Sequence, residues 1–584
     1  MSYLGVENSL TGRRWVGPDP EVTRQAEHLV QRTTLSHPLC SILARLGVSA
    51  EEAESFLTPT MRALLPDPRS LKDMETAAAR FLRAVRERQR IAVFADYDVD
   101  GGASAALLID WLRQMGRSAT LYVPDRIDEG YGPNVPAMTA LAADHDLIIC
   151  VDCGTLSHEP IAATRGMAEV VVLDHHLGGE TLPDCVAVVN PNRQDEDGAL
   201  AHLCAAAVVF LMLVEAGRQL REAGARGPDL MAALDLVALA TVADVAPLKG
   251  VNRAFVHQGL KVMAGRARPG LVALSDVARL ERAPAAYHLG YVMGPRINAG
   301  GRIGKADLGA RLLACDQPAE AQAMAERLDQ LNTERREIEA SVRAAALAQA
   351  EARGLDAPLV WAAEDGWHPG VVGIVASRLK EQTNRPSVVI GFDGDEGKGS
   401  GRSVQGVDLG AAIQRLASEG LLVKGGGHKM AAGLTVMRDQ LEPAMARLSE
   451  LLARQGAGQG GAADLRVDGV LMPAAATVDL VEQLERAGPF GAAVPGPRFA
   501  LPDMQIRFVR RVGQGHLKLS VSDGLGTTLD VIAFSAFEGP LGPALEDHQG
   551  ARFHLAGKLD INFWQGRSTV QLRLDDAAPA AESA

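Results

Sequence analysis

The stretch from Ile91 to about Pro191 constrains the fold of this chain more than any other. It carries the short, β-branched apolar runs IAVFADYD, ATLYVPD, DLIICVDCG, EVVVLDHH and CVAVVNP. Between the earlier runs lie alanine- and leucine-rich segments of helical length, such as 103–115 and 135–143. Runs of this kind read as strands buried on both faces. Their alternation with helices implies right-handed crossovers and a parallel sheet. In such a sheet ligands bind outside the carboxyl ends of the strands. Three of those ends carry acids here: Asp96, Asp98 and Asp100 in FADYDVDGG, Asp152 in VDCG, and Asp174 with His175 and His176 in VLDHH. A fourth acid, Asp244 in TVADVAP, precedes a proline expected to end a helix.

One aspartate after a strand is ordinarily a turn former or a helix cap, and a His-His pair alone is ordinarily structural. Several carboxylates converging on one sheet edge are a different matter, because burying them together is prohibitive without cations. Hard oxygen ligands with one or two imidazoles and no thiolate favour Mn²⁺ or Mg²⁺. Acids able to bridge point to two ions, the arrangement used for phosphoryl-ester hydrolysis. Cys150 and Cys153 form a C-x-x-C without the second pair a zinc site needs, and are expected to be small core residues. GDEGKGSG lacks the spacing of a P-loop, so no ATP requirement is expected.

The rest of the chain is organised around this unit. At 584 residues it exceeds one core, and roughly 100–200 residues per domain gives three or four domains. Residues 1–70 read as a helical N-terminal region and 71–265 as the catalytic domain, with helical stretches at 199–222 and 229–246. Residues 266–354 form a linker with a phosphate-binding loop and a long helix over 318–353, which has no proline or glycine between its ends. A second α/β unit spans 355–454, with strands in PLVWAA and PSVVIGF around the helix VVGIVASRLKEQ. QGAGQGG, 455–461, reads as a linker. Five β-rich segments within 462–578 suit a small barrel of the OB type. The expected fold is therefore α/β, with two α/β units joined by a long helix and a C-terminal β-barrel.

Composition excludes several classes. Six cysteines in a chain this long do not make a disulfide framework, and MSYLGVENSLTGRRW has no apolar secretory core, so a reducing cytoplasmic setting is expected. The most apolar stretch, 199–214, falls short of the about 20 residues a bilayer requires. A net charge of −13 weighs against nucleic acid only if the bases are scattered. They are not. GPRINAGGRIGK, 294–305, places Arg296, Arg302 and Lys305 among glycines; KGSGRS holds Lys398, Ser400, Arg402 and Ser403; GGGHKMAAG adds His428 and Lys429 on an expected turn. Glycines allow backbone N–H groups close to phosphate and arginine offers a bidentate fork. In the barrel, Arg507, Arg510, Arg511, His516 and Lys518 cluster, with Phe508 and Phe553 as candidate stacking surfaces.

Taken together, FADYDVDG, VDCGT, DHH and ADV resemble the metal motifs of the Asp-His-His phosphoesterases. GPRINAGGRIG, WHPGVVGIVASRL, SGRS and GGGHKMAAG resemble the RecJ family within that superfamily. The resemblance is strong over about residues 75–440 and looser in the barrel. It implies Asp96, Asp98, Asp152, His175 and Asp244 as metal ligands, with His176 as a catalytic group beside them. It implies Arg126, Arg296, Asn298, Arg302, Ser400, Arg402, Ser403 and His428 as contacts to substrate phosphates. It further implies 5′→3′ hydrolysis of single-stranded DNA to mononucleotides in a tunnel between the α/β units, in recombination and repair. Expected partners are single-stranded DNA, single-strand binding protein and a recombination helicase; no membrane is involved, and the chain acts as a monomer. Two departures stand out: Ala95 where the family has glycine, and Ala493-Val494 in PFGAAVPGPRF, 489–499, where it has Gly-Asn. The alternatives are an Asp-His-His hydrolase of short oligonucleotides, cyclic dinucleotides or pyrophosphate, and an inactive scaffold. The first has no use for an added basic barrel. The second would have lost motif acids that are all present here.

Overall fold

The computed structural model describes residues 2–126, 128–458, 464–564 and 567–580. Residues 459–461 of the expected linker lie outside them. The first α/β unit is built on strands β1 (Ile91–Ala95), β2 (Thr120–Tyr122), β3 (Leu147–Val151), β4 (Glu169–Leu173) and β5 (Ala187–Val189). All pair in parallel, in the order β2-β1-β3-β4-β5. β1 and β3 are wholly buried, as their apolar runs demand, whereas β2 is a partly exposed edge strand. The chain runs outward from β1 to β2 and then back to β3, so the strand order reverses between β1 and β3. That reversal opens the crevice in which ligands of such sheets sit.

Register decides what lies there. Ala95 pairs with Val151, Val151 with Leu173, and Leu173 with Val189. Four strands thus end level, and the next residues in the chain are Asp96, Asp152, Asp174 and Asn190. Helices α1 (Val99–Gln114), α2 (Val135–Asp144), α3 (Ala205–Glu222) and α4 (Leu234–Ala243) cover the sheet and complete its core. The apolar stretch 199–214 supplies the buried first half of α3. Among the described residues no helix is long and apolar enough to cross a membrane.

GPRINAGGRI is a helix, α5 (Gly294–Ile303), rather than the expected phosphate-binding loop. Its glycines serve packing: a Cβ on Gly301 would stand 2.8 Å from the Tyr97 ring, and one on Gly304, which caps the helix, would stand 2.6 Å from Leu331. The long helix α6 runs over Pro318–Arg353, as the sequence predicts, and at about 1.5 Å per residue measures roughly 54 Å. It is a packed spine rather than a free spacer. Leu328 and Leu331 meet α5, while Val342, Ala346 and Ala350 enter the core of the second α/β unit.

That unit holds β6 (Val360–Asp365), α7 (Pro369–Thr383), β7 (Ser387–Asp393), β8 (Glu396–Arg402), α8 (Leu409–Ser418), β9 (Lys424–His428) and β10 (Ala431–Met437). Its sheet has the order β9-β10-β8-β7-β6 and is antiparallel except at β6–β7. KGSGR and GGGH, expected in loops and turns, are therefore strands. Their glycine content hides the alternation that marks a strand, and the missing side chains make room for neighbours: a Cβ on Gly399 would lie 2.7 Å from Ile390.

The barrel closes through β11 (Phe499–Val512), β12 (His516–Ser522), β13 (Thr528–Ala533), β15 (Arg567–Pro579) and β14 (Arg552–Trp564), in that order around, with β14 returning to β11. The N-terminal region is mostly helical, but its first residues strap the barrel. Trp15 is fully buried and donates to Asp576 Oδ2 at 2.9 Å, and Leu10 N donates to Ala577 O. Phe553 is 5% exposed and belongs to the barrel core, so it offers no stacking face.

Candidate metal centre and cleft

Asp96 and Asp152 begin the loops after β1 and β3, and both are almost fully buried. The turn after Asp96 is tight: a Cβ on Gly101 would stand 2.4 Å from the Asp96 carbonyl oxygen, so only glycine fits. Asp98 caps α1, its Oδ1 accepting from the Asp100 and Gly101 amides. Asp100 accepts from the amides of Ala205 (2.6 Å) and Ala206 (2.8 Å) at the start of α3 while keeping its Oδ2 near His175. Asp152 has φ +60°, a left-handed conformation unusual for a residue with a Cβ. Val245, directly after Asp244, has φ +59°, a strain concentrated where function is found.

His175 links these acids. Its Nε2 lies 3.2 Å from Asp152 Oδ1 and 3.7 Å from Asp100 Oδ2, and its Nδ1 lies 3.8 Å from Asp244 Oδ2. His176 is held differently. Its Nδ1 is 2.8 Å from Asp174 Oδ1, and Asp174 Oδ2 accepts from Thr155 Oγ1 at 2.6 Å and from the Thr155 amide. Burial works against the charge on His176, but the hydrogen bond and charge of Asp174 prevail and raise its pKa to about 9. Asn190 Nδ2 donates to Thr155 Oγ1 and to the His176 carbonyl, and Asn192 Nδ2 to the His175 carbonyl, so the two histidines stand on a braced loop. Neither asparagine was singled out from sequence. Each follows β5 in NPNR, a segment with no distinctive spacing.

The ligand-bearing atoms form three linked groups, Asp96–Asp98–Asp152, Asp152–His175–His176 and Asp100–His175–Asp244, each within 4.8 Å. Asp152 belongs to two of them and His175 to two. Burial, and then the neighbouring carboxylates, push the Asp96 and Asp152 acids well above the usual carboxylate range, and Asp244 to about 8 for the same reasons. Asp96 Oδ1 and Asp152 Oδ1 are buried and meet no hydrogen-bond donor in acceptable geometry. Such a set is costly alone and is satisfied by divalent cations. Oxygen donors with imidazole suit Mn²⁺ or Mg²⁺. Cys150 and Cys153 are buried, free and outside all three groups.

A cleft of about 850 Å³ lies between the two α/β units. One wall carries Tyr97, Arg126 and Tyr131; the other carries Lys398, Ser400, Lys424 and the backbone of β8 to β10. Tyr131 ties the cleft to the acids, its hydroxyl donating to the Asp152 carbonyl at 3.0 Å and meeting the His176 ring nitrogens. Burial, and then the charge of Arg126, hold the Arg302 guanidinium down to about 10 and lower that of Arg402 as well. Arg126 itself lies 5.1 Å over the Tyr97 ring. Asp128, Glu129 and Glu396 also line the cleft, so its anion-seeking character is confined to where the Arg126, Arg302 and Arg402 guanidiniums approach one another.

The other predicted contacts are placed elsewhere or occupied. Arg296 is paired with Asp329 at 2.8 Å, and Asn298 accepts from the Val99 amide, locking α5 against the start of α1. Ser403 is buried and donates to the Val407 carbonyl, while His428 is exposed at the end of β9. Neither of these two lines the cleft. On the barrel, Arg511 pairs with Glu546, Lys518 with Asp530, and Arg507 donates to Ser522, so most of the basic cluster read from sequence is internally satisfied.

Residues 90–241 match the DHH family, N-terminal domain; 356–454 match the DHHA1 domain; and 467–576 match the RecJ OB domain. The chain is 39% identical to the single-stranded-DNA-specific exonuclease RecJ of Dickeya dadantii, over 96% of this chain and 99% of that one. The chain belongs to the RecJ family. Its RecJ relative in Escherichia coli is 38% identical over 92% of this chain and 95% of that one. RecJ of Thermus thermophilus, solved in complex with Mn²⁺, superimposes with a TM-score of 0.79 at 28% identity, covering 96% of this chain and 79% of that chain. A Mg²⁺ complex of the same protein has also been solved.

Proposed function

We propose that this RecJ-family chain is a metal-dependent exonuclease that degrades single-stranded DNA to mononucleotides from the 5′ end. The observation that carries this reading is the linked acid–histidine cluster, sharing Asp152 and joined by Tyr131 to an arginine-bearing cleft. Asp96, Asp98, Asp152, His175 and Asp244 would hold two divalent ions, Mn²⁺ or Mg²⁺, Asp152 being common to two of the ligand groups. Such ions activate a water molecule and neutralise charge developing on the phosphate and the leaving oxygen.

The chain's own residues do the rest. Asp174, gripped by Thr155, fixes His176 at Nδ1 and leaves Nε2, 3.2 Å from the Tyr131 hydroxyl, as the ring nitrogen that would meet a substrate phosphate. Arg126 and Ser400 line the cleft and hold phosphates there, backed by Arg302, which donates to the Gly370 carbonyl, and Arg402, which donates to Ser400 Oγ; the wall of β8 to β10 offers glycine backbone for close approach. Tyr97 and Tyr131 give the terminal nucleotide apolar surface in place of water. The direction of travel is carried over from the family, as are the role in recombination and repair and the association with single-strand binding protein and a helicase. Single-stranded and duplex DNA labelled at either end, incubated with Mn²⁺, test the reading. Early release of a 5′-labelled mononucleotide from single strands only, absent in Asp152→Ala, is expected. Cleavage confined to dinucleotides would replace this function with that of a short-substrate hydrolase.

A further inference from the structure

The loop that carries Asp244 is held from two sides, and one of them belongs to the entry of the barrel. Asp244 caps the end of α4, and Val245 turns the chain with φ +59°. Further along the same loop, the Leu248 amide donates to the Ala492 carbonyl at 2.9 Å. Ala492 sits in a closed turn, in which the Gly491 amide donates to the Val494 carbonyl at 2.9 Å and the Val494 amide to the Gly491 carbonyl at 3.1 Å. The fit is tight: a Cβ on Gly491 would stand 2.8 Å from Leu248 Cδ1. Leu248 and Val494 are both buried in the core of the catalytic unit, although Val494 lies just before β11 of the barrel.

Asn252 supplies the other hold. It is fully buried in the helix Val251–Ala264, and its Nδ2 donates to the carbonyls of His202 (2.8 Å) and Pro247 (3.0 Å). Pro247 stands in the Asp244 loop. His202 stands in the segment leading to α3, whose first amides grip Asp100. One side-chain amide therefore ties together the two segments that place Asp100 and Asp244, the acids on either side of His175. The Asn252 Oδ1 is buried and meets no donor among the described residues. An apolar side chain would avoid that cost, but only a double donor fixes both segments at once.

We propose that Asn252 and the turn Gly491–Val494 are positioning elements for the ion at His175 and Asp244, so that the seating of the barrel entry on the catalytic unit sets the occupancy of one half of the metal centre. This rests on the two-ion reading above. Both elements act through the backbone that carries Asp244. Partners behind a metal ligand govern affinity because they fix where the ligand atom stands before the ion arrives. The ion at Asp96, Asp98 and Asp152 is placed by the ends of β1 and β3 instead, and is independent of the turn.

Calorimetric titration of the full-length chain with Mn²⁺ tests this. The wild type is compared with Gly491→Ala, which pushes on Leu248, with Asn252→Ala, and with Gly491→Ala combined with Leu248→Val, which removes the atom in the way. Each single variant should weaken one of the two Mn²⁺ sites about 10–100-fold and leave the other within about twofold. Amides within 245–250 of the metal-free chain should exchange faster with solvent in both. The combined variant should regain wild-type Mn²⁺ affinity, and DNA binding in EDTA should match the wild type throughout. Unchanged Mn²⁺ affinity in both single variants would overturn the proposal. So would equal weakening of both sites with a lower thermal midpoint, the signature of a loosened core alone. Gly491→Ala, at the surface of the contact, carries the test should Asn252→Ala fail to fold. A wild type that binds one Mn²⁺ or none would instead overturn the two-ion reading.

Discussion

Arg253 joins three parts of the molecule with one side chain. It is 3% exposed and has no carboxylate partner among the described residues, and its buried Nε and Nη1 meet no acceptor there. Its Nη2 donates to the carbonyls of Phe56 (3.1 Å), Ala487 (3.1 Å) and Gly488 (2.7 Å), and the guanidinium lies 3.7 Å over the Phe56 ring. It thus pins the N-terminal helices and the turn before the barrel onto the catalytic unit. Two effects compete. Burial lowers its pKa from 12.5 to about 10, which at roughly 1.4 kcal/mol per unit costs about 3 kcal/mol at neutral pH. Two Nη2 hydrogens shared by three carbonyls return about 3–6 kcal/mol at the usual worth of charged hydrogen bonds, and the ring contact adds about 1 kcal/mol. The hydrogen bonds win, by about 1–4 kcal/mol. Arg253→Met should therefore lower the first urea unfolding transition by that amount, and Arg253→Lys, which cannot fork across three acceptors, by an intermediate amount. A depressed pKa in the folded state makes the charged form costlier folded than unfolded, so stability rises only as pH climbs from about 10 towards 12.5. Between pH 6 and 9 the difference between variant and parent should stay flat. A methionine variant as stable as the parent would mean that desolvation outweighs the hydrogen bonds, the reverse of the balance drawn here.

Other outcomes are expected on the same grounds. Ala493 has φ +59° in the segment that replaces the family's Gly-Asn, so Ala493→Gly should stabilise the chain by about 1 kcal/mol; a destabilised variant would mean this turn does not carry that strain. Asn190→Ala leaves Thr155 and the His176 carbonyl without a partner and should raise the Mn²⁺ concentration needed for half-maximal activity about 10–100-fold, with far-ultraviolet circular dichroism unchanged. Arg402→Ala should raise KM for DNA and flatten its salt dependence while leaving metal titrations unaltered; equal loss of metal would make that residue structural. Chelation with EDTA should lower the thermal midpoint as well as stop turnover, because cations relieve the crowding of Asp96, Asp152 and Asp244.

How much of this was legible in the sequence differs from element to element. The β1–β5 strands and α6 could be read because apolar runs and an uninterrupted helical stretch are local signals. The metal constellation was legible because each acid follows a strand, and register then brings those strand ends level. Glycine-rich segments misled. In GPRINAGGRI and KGSGRS the glycines make room for Tyr97, Leu331 and Ile390 rather than forming loops, a demand set by partners distant in the chain. Arg296 reads as a phosphate ligand, and its pairing with Asp329, 33 residues away, is not visible in the local sequence. Phe553 reads as a stacking ring until the barrel closes over it. The bracing by Asn190 and Asn192 depends wholly on tertiary placement, and no pattern in the chain announces it.

Everything proposed for the catalytic centre depends on one linked cluster, with Asp152 shared between its halves, holding two divalent ions. Mn²⁺ is paramagnetic, so electron paramagnetic resonance of the metal-loaded chain counts those ions while turnover on single strands is followed in the same samples. Two ions per chain with the spectrum of a coupled pair are expected, and activity should appear only as the second ion binds. Both the coupling and turnover should be lost in Asp152→Ala. Full activity with a single uncoupled ion, or a coupled pair that survives in Asp152→Ala, would show that Asp152 does not bridge a two-metal site.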